Sequence, residues 1–127
     1  PMVTTDIPQF TEACNTWREA LRSQREEFTR MKNELQQAAA HITSKEALKD
    51  VEHYENQFDI QLANIHDLKQ SIKSLNKAPV FQPASGIGAS PEIITAGYEK
   101  LATEYQHLRQ RLHDIKNDFQ RFLVNYT

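Results

Sequence analysis

Cysteine, glycine and proline are scarce in this sequence, and each shortage restricts what the chain can be. Cys14 is the only cysteine, which excludes a disulfide framework within the chain and favours a reducing compartment. The chain has three glycines and five prolines among 127 residues, so few positions force a helix to stop. Most of these residues lie between Lys77 and Pro91, and this stretch predicts a long loop.

Neither sign of charge dominates, and no apolar run is long. The 15 basic and 17 acidic residues give a net charge of -2 and are mixed along every segment, so the sequence has no basic stripe for binding nucleic acid. No apolar run approaches the ~20 residues that cross a bilayer, and residues 1–6 lack the pattern of a signal peptide. We therefore expect a cytoplasmic protein that neither binds nucleic acid nor inserts into a membrane.

Three stretches carry apolar residues at alternating spacings of four and three, which is the period of helices that pack side by side. They predict helices over about 8–42, 44–76 and 91–126, with a Pro/Gly loop over 77–90 between the second and the third. Each helix would be about 50 Å long. We expect residues 1–127 to form a single all-α domain, a left-handed antiparallel three-helix bundle that is monomeric when isolated.

Capping residues mark where these helices begin. Pro8 suits the first turn of the first helix. Thr43 and Glu46 have the spacing of a reciprocal capping box for the second. Ser90 is the predicted cap of the third helix, with Pro91 in its first position. The short link before the second helix predicts that the first two helices pack antiparallel.

One layer of the bundle is rich in large side chains. If the ends of the first and third helices are level, Trp17 shares this layer with Ile72, Tyr98 and Leu101. We expect these four residues to anchor the core, and Trp17→Ala to cost about 3–5 kcal/mol.

The predicted loop contains residues that could contact a partner. Val80, Phe81 and Ile87 are its sizeable apolar residues, and they either fold back over the bundle end or form a docking site. Ser90 precedes a proline and is a candidate phosphorylation site, because a phosphate at a helix N-terminus is well placed electrostatically.

Two short motifs resemble chemical sites. Glu104 and His107 have the Glu-x-x-His spacing of di-iron bundles, but both flank the apolar seam and a solvated face is the simpler interpretation. His113 and Lys116 have the His-x-x-Lys spacing of phosphotransfer bundles, with Asn117 where those modules place glycine. We expect no metal site, no cofactor and no enzymatic activity. The alternative is a stand-alone helical signalling or adaptor domain, including phosphotransfer through His113.

The pattern of aromatic and apolar residues resembles that of the spectrin-repeat family across most of the chain. Trp17, in the segment W-R-E-A-L of this sequence, is placed like the core tryptophan of the family's first helix. Residues 58–63, F-D-I-Q-L-A, are similar to the family's second helix. Tyr98 and Leu101 resemble the opening of its third helix, and residues 119–123, F-Q-R-F-L, resemble its close. The long Pro/Gly loop is similar to that of repeats in plakin cytolinkers.

This resemblance implies a structural role. Members of the family act as spacers and protein-docking units in larger cytoskeletal linkers, without catalytic residues. It implies protein partners, cytoskeletal or junctional in kind, and an association with the cytoskeleton.

Overall fold

Three α-helices form the part of the chain that the structure describes. The computed structural model describes residues 7–77 and 91–126, and these ranges contain no β-strand. The helices are α1 (Ile7–Ala39), α2 (Lys45–Lys77) and α3 (Pro91–Tyr126). The prediction of an all-α bundle of three helices is confirmed. None of these helices combines the length and the apolar character needed to cross a membrane.

The first helix ends earlier than the sequence pattern predicts. α1 stops at Ala39, three residues before the predicted end at residue 42. The amide of His41 donates to the carbonyl of Ala38 at 3.1 Å, and the amide of Ile42 donates to the carbonyl of Ala39 at 3.2 Å. Both hydrogen bonds join residues three apart, as in a 3₁₀-helix, where an α-helix joins residues four apart. They make the turn tighter and satisfy two carbonyl groups at the end of α1.

The cap of α2 is also shifted from the predicted position. Ser44, rather than Thr43, is the capping residue, because its Oγ accepts the amide of Ala47 at 3.3 Å. Its carbonyl accepts the amide of Leu48 at 2.9 Å, which is the first bond of the helix. The cap thus lies one residue later than the Thr43–Glu46 capping box predicted.

One hydrophobic core runs between all three helices. Its centre contains Phe28 of α1, Phe58 of α2 and Phe119 of α3, all fully buried. The ring of Phe58 packs edge to face against both others, with centroid distances of 5.8 Å to Phe28 and 4.9 Å to Phe119. This geometry is favourable for aromatic quadrupoles, so the three rings join the helices at a single point.

Ion pairs connect the helices outside the core. Lys32 of α1 lies 2.6 Å from a carboxylate oxygen of Asp59 of α2. Lys116 of α3 lies 2.7 Å from a carboxylate oxygen of Glu27 of α1. All four side chains are partly exposed, so each pair contributes at most about 1 kcal/mol and mainly fixes the relative position of the helices.

α2 and α3 approach each other closely at a glycine. A methyl group added to Gly97 would lie 3.3 Å from Cδ1 of Leu75. Because glycine has no side chain, the backbone of α3 can come this near to α2 at the end where α2 finishes.

Candidate functional site

The four residues predicted to anchor the core occupy two different environments. Ile72 and Leu101 are buried, whereas Trp17 and Tyr98 are half-buried at the edge of the core. The indole of Trp17 stacks between Tyr98 and Tyr105, with centroid distances of 5.3 Å and 5.6 Å. These rings form a stack between α1 and α3, to which Phe10 adds a further ring 4.2 Å from Tyr98.

The predicted docking loop and phosphorylation site fall outside the described part of the chain. This applies to Val80, Phe81, Ile87 and Ser90, so each stays a prediction from the sequence.

A groove between α2 and α3 brings several polar side chains together. One section, of about 260 Å³, is lined by both residues of the Glu104–His107 motif and by Asp67 and Arg111. A second section of about 490 Å³ adjoins it, and Ser71 and Glu104 line both. The groove follows the line between the helices to Gly97, where Leu75 and Leu101 line it.

The polar residues of this groove do not converge on a metal ion. Within residues 7–77 and 91–126, no group of three or more histidine, cysteine, aspartate or glutamate side chains is arranged to hold a metal. A di-iron site needs carboxylates from facing helices directed at one point. Asp67 of α2 is the acidic side chain facing Glu104 and His107, so the groove provides a polar surface and not a ligand set.

His113 lies on an exposed part of α3, apart from this groove. It borders a cleft of about 370 Å³ together with Gln106, Arg109 and Gln110. The side-chain nitrogen of Asn117 lies 3.1 Å from Nε2 of His113, one turn along the helix. Asn117 occupies the position where phosphotransfer modules have glycine, and it contacts the imidazole of His113.

Two buried residues of chemical interest lie inside the bundle. Gln61 is the buried polar residue of α2, and its side-chain oxygen accepts a hydrogen bond from Nδ2 of Asn64 at 3.1 Å. Gln61 lies three residues after Phe58 and four before Ile65, which is the spacing of a core position, but a polar side chain does not predict burial from the sequence. Cys14 is buried, and burial raises the pKa of its thiol while the charge of Arg18 lowers it.

Exposed apolar side chains gather at one end of the bundle. Leu48 lies near the start of α2, and Val124 and Tyr126 lie near the end of α3. The two helix ends meet there, because Tyr54 of α2 contacts Phe122 of α3 with ring centroids 5.2 Å apart. Val124 is the most exposed of these side chains, at 78%. Burial of these groups against another surface would be favourable.

Comparison of the chain with models of protein families, with curated proteins and with solved structures gave no match.

Proposed function

We propose that the chain is a structural and interaction module, a spectrin-like repeat that serves as a spacer and protein-docking unit of a larger cytoskeletal linker. The observation that carries this proposal is the geometry of the bundle. Its helices contain 33, 33 and 36 residues and share one continuous core, which makes a rod about 50 Å long. Such a rod separates its two ends by a fixed distance, and its exposed side chains are available for binding.

The order of contacts between helices supports the antiparallel arrangement within this proposal. Leu75, late in α2, lies beside Gly97, early in α3. Tyr54, early in α2, contacts Phe119, late in α3. Contacts that run in opposite orders along two helices are those of antiparallel neighbours, as in a spectrin-like repeat.

The exposed apolar end supports the linker part of the proposal. Leu48, Val124 and Tyr126 suit contact with an adjoining helical unit of the same polypeptide. In a tandem array these side chains would be covered, and the rod would transmit tension through that junction.

The mass of the native polypeptide tests this proposal. An immunoblot of source cells, with an antibody raised against residues 7–126, should detect a band far above 14.7 kDa. A band near 14.7 kDa would overturn the linker role, because a single unit cannot join distant partners through neighbouring repeats.

A stand-alone signalling domain is the second candidate, and the exposure of His113 favours it. In this function the imidazole accepts a phosphoryl group from the aspartyl phosphate of a receiver domain, and the aspartate carboxylate leaves. The test is to phosphorylate a receiver domain with ³²P-labelled acetyl phosphate and to measure transfer of the labelled phosphoryl group to this protein. Uptake that disappears in His113→Gln would support this function, whereas no uptake by the unmodified protein would end it. Lys116→Gln is the matched control, since it changes the motif but keeps the acceptor.

A further inference from the structure

Four basic residues from two helices lie near one another on the described surface. Arg18, Arg22 and Arg25 lie four and three residues apart on α1, so they occupy one face of that helix over about 10 Å. Lys69 faces them from α2. We refer to these four residues as the basic cluster.

The charges of the basic cluster act on one another. Burial has the largest effect and lowers the pKa of Lys69, and the positive charges of Arg25, Arg22 and Arg18 lower it further. Glu19 alone opposes them. The positive charges of the three arginines thus reach Lys69 across the interface between α1 and α2.

The described carboxylates do not neutralise this cluster. Glu19 lies 3.4 Å from Arg22, and both side chains are well exposed, so the pair is weak. In residues 7–77 and 91–126, no carboxylate oxygen lies within 4 Å of the charged groups of Arg18, Arg25 or Lys69. The remaining ion pairs of that part of the chain join other residues: Lys32–Asp59, Lys116–Glu27 and Arg121–Asp118.

The chemistry of the cluster favours carboxylates as its ligands. Three of the four groups are guanidinium forks, which bind carboxylates through two parallel hydrogen bonds. About 10 Å of helix matches two turns of a helical peptide or three residues of an extended one. An acidic polypeptide segment could therefore place successive carboxylates against successive arginines.

Two other polyanions fit less well. Nucleic acid is bound along an extended basic stripe that neutralises many phosphates, and the mixed charges along this sequence provide no such stripe. The exposed large apolar side chains of the described surface are Leu48, Ile60, Ile93, Val124 and Tyr126, and none belongs to the turns that carry the cluster. The site thus has no side chain to insert into a lipid surface, which basic clusters of this size use for stable anchoring.

We propose that the basic cluster is a docking site for an acidic segment of a partner protein, with carboxylates paired to Arg18, Arg22 and Arg25. This inference rests on the proposed docking role and specifies the partner's chemistry and the site that binds it.

Fluorescence anisotropy with a short, labelled, glutamate-rich peptide tests the site. The unmodified protein should bind it, and binding should weaken with added salt. The variant Arg18→Glu, Arg22→Glu, Arg25→Glu should bind at least about tenfold more weakly, because three attractive pairs become repulsive. The control is Arg30→Glu, Lys100→Glu, Arg109→Glu, which reverses three exposed charges elsewhere and should retain binding within about threefold. Circular dichroism establishes that both variants are folded.

Several outcomes would overturn the inference. The unmodified protein could fail to bind the peptide, or the two variants could lose affinity equally, which would reduce the effect to net charge. Tighter binding to a single-stranded oligonucleotide or to vesicles containing phosphatidylserine would contradict the choice of a protein partner. The peptide assay and the mass of the native polypeptide test different proposals. If the native polypeptide is large but the protein does not bind the peptide, the docking site is wrong and the spacer role stands.

Discussion

At the scale of single residues, the buried thiol of Cys14 makes the stability of the fold depend on pH. Burial raises the pKa of its thiol above the ordinary value of 9.0. A folded pKa above the unfolded one means that the neutral thiol stabilises the fold below about pH 9, and that this contribution is lost as the pH rises through the folded pKa. The pKa of Tyr54 is also raised above its ordinary value, which is 10.0, first by burial and then by the negative charges of Asp118 and Asp50.

We therefore expect the free energy of unfolding to decrease as the pH rises above 9.0, and Cys14→Ala to make this decrease smaller. Urea denaturation at a series of pH values measures both proteins. Tyr54→Phe is a second variant that should flatten the curve at higher pH. Equal slopes in all three proteins would show that neither group titrates differently in the folded state.

Gly97 gives a second prediction at this scale. We expect Gly97→Ala to raise the free energy of unfolding by about 0.5–1 kcal/mol, because alanine is the better helix former. The new methyl group would lie 3.3 Å from Cδ1 of Leu75, and that flexible side chain borders the groove of about 490 Å³ into which it can shift.

Thermal and urea denaturation measure the effect of Gly97→Ala. The control is Ala96→Gly at the preceding, exposed position, which should lower the free energy of unfolding by about the amount that Gly97→Ala raises it. A loss of stability in Gly97→Ala would mean that Leu75 cannot move and that close helix contact outweighs helix propensity.

At the scale of elements, the start of α2 depends on a single side chain. Ser44→Ala removes the oxygen that accepts the amide of Ala47 and should lower the free energy of unfolding by about 1 kcal/mol. Thr43→Ala is the matched control, since Thr43 is exposed and one residue away, and it should change stability by less than about 0.5 kcal/mol. Urea denaturation compares the two, and a larger effect of Thr43→Ala would restore the capping box that the sequence suggested.

The elements themselves were predictable, and their ends were less so. An apolar period of three and four over many turns reports a helix wherever it occurs, because the residues that it selects lie on one face. Because Ile42 fits that period, the first helix was predicted to reach residue 42, yet α1 ends at Ala39. A half-buried side chain can pack against the core from a turn as well as from a helix, so the period alone does not locate the last residue.

At the scale of the whole molecule, the three phenylalanines hold the helices together. Phe58→Ala should lower the free energy of unfolding by about 3–5 kcal/mol, because the ring is fully buried and contacts both other helices. Trp17→Ala, for which the sequence suggested the same range, should cost less, since Trp17 is half-buried at the edge of the core. Urea denaturation compares the two variants. A larger loss of unfolding free energy in Trp17→Ala would mean that the layer of Trp17, and not the three phenylalanines, anchors the core.

The basic cluster exists only at this scale. Along the sequence, acidic, polar and apolar residues separate Arg18, Arg22 and Arg25, and Lys69 is more than forty residues away. The charge count is nearly balanced, so composition gives no sign of a positive surface. Packing α2 against α1 adds a fourth cation to the three of α1.

The sequence by itself determined the helical class, the number of helices and most core positions, because apolar spacing depends only on the local geometry of a helix. The tertiary structure decided which aromatic rings are central, which residue caps α2, how Gly97 meets Leu75 and where positive charge accumulates. These features depend on which residues of different helices become neighbours. That choice is set by the relative positions of the packed helices, which the period of any single helix does not contain.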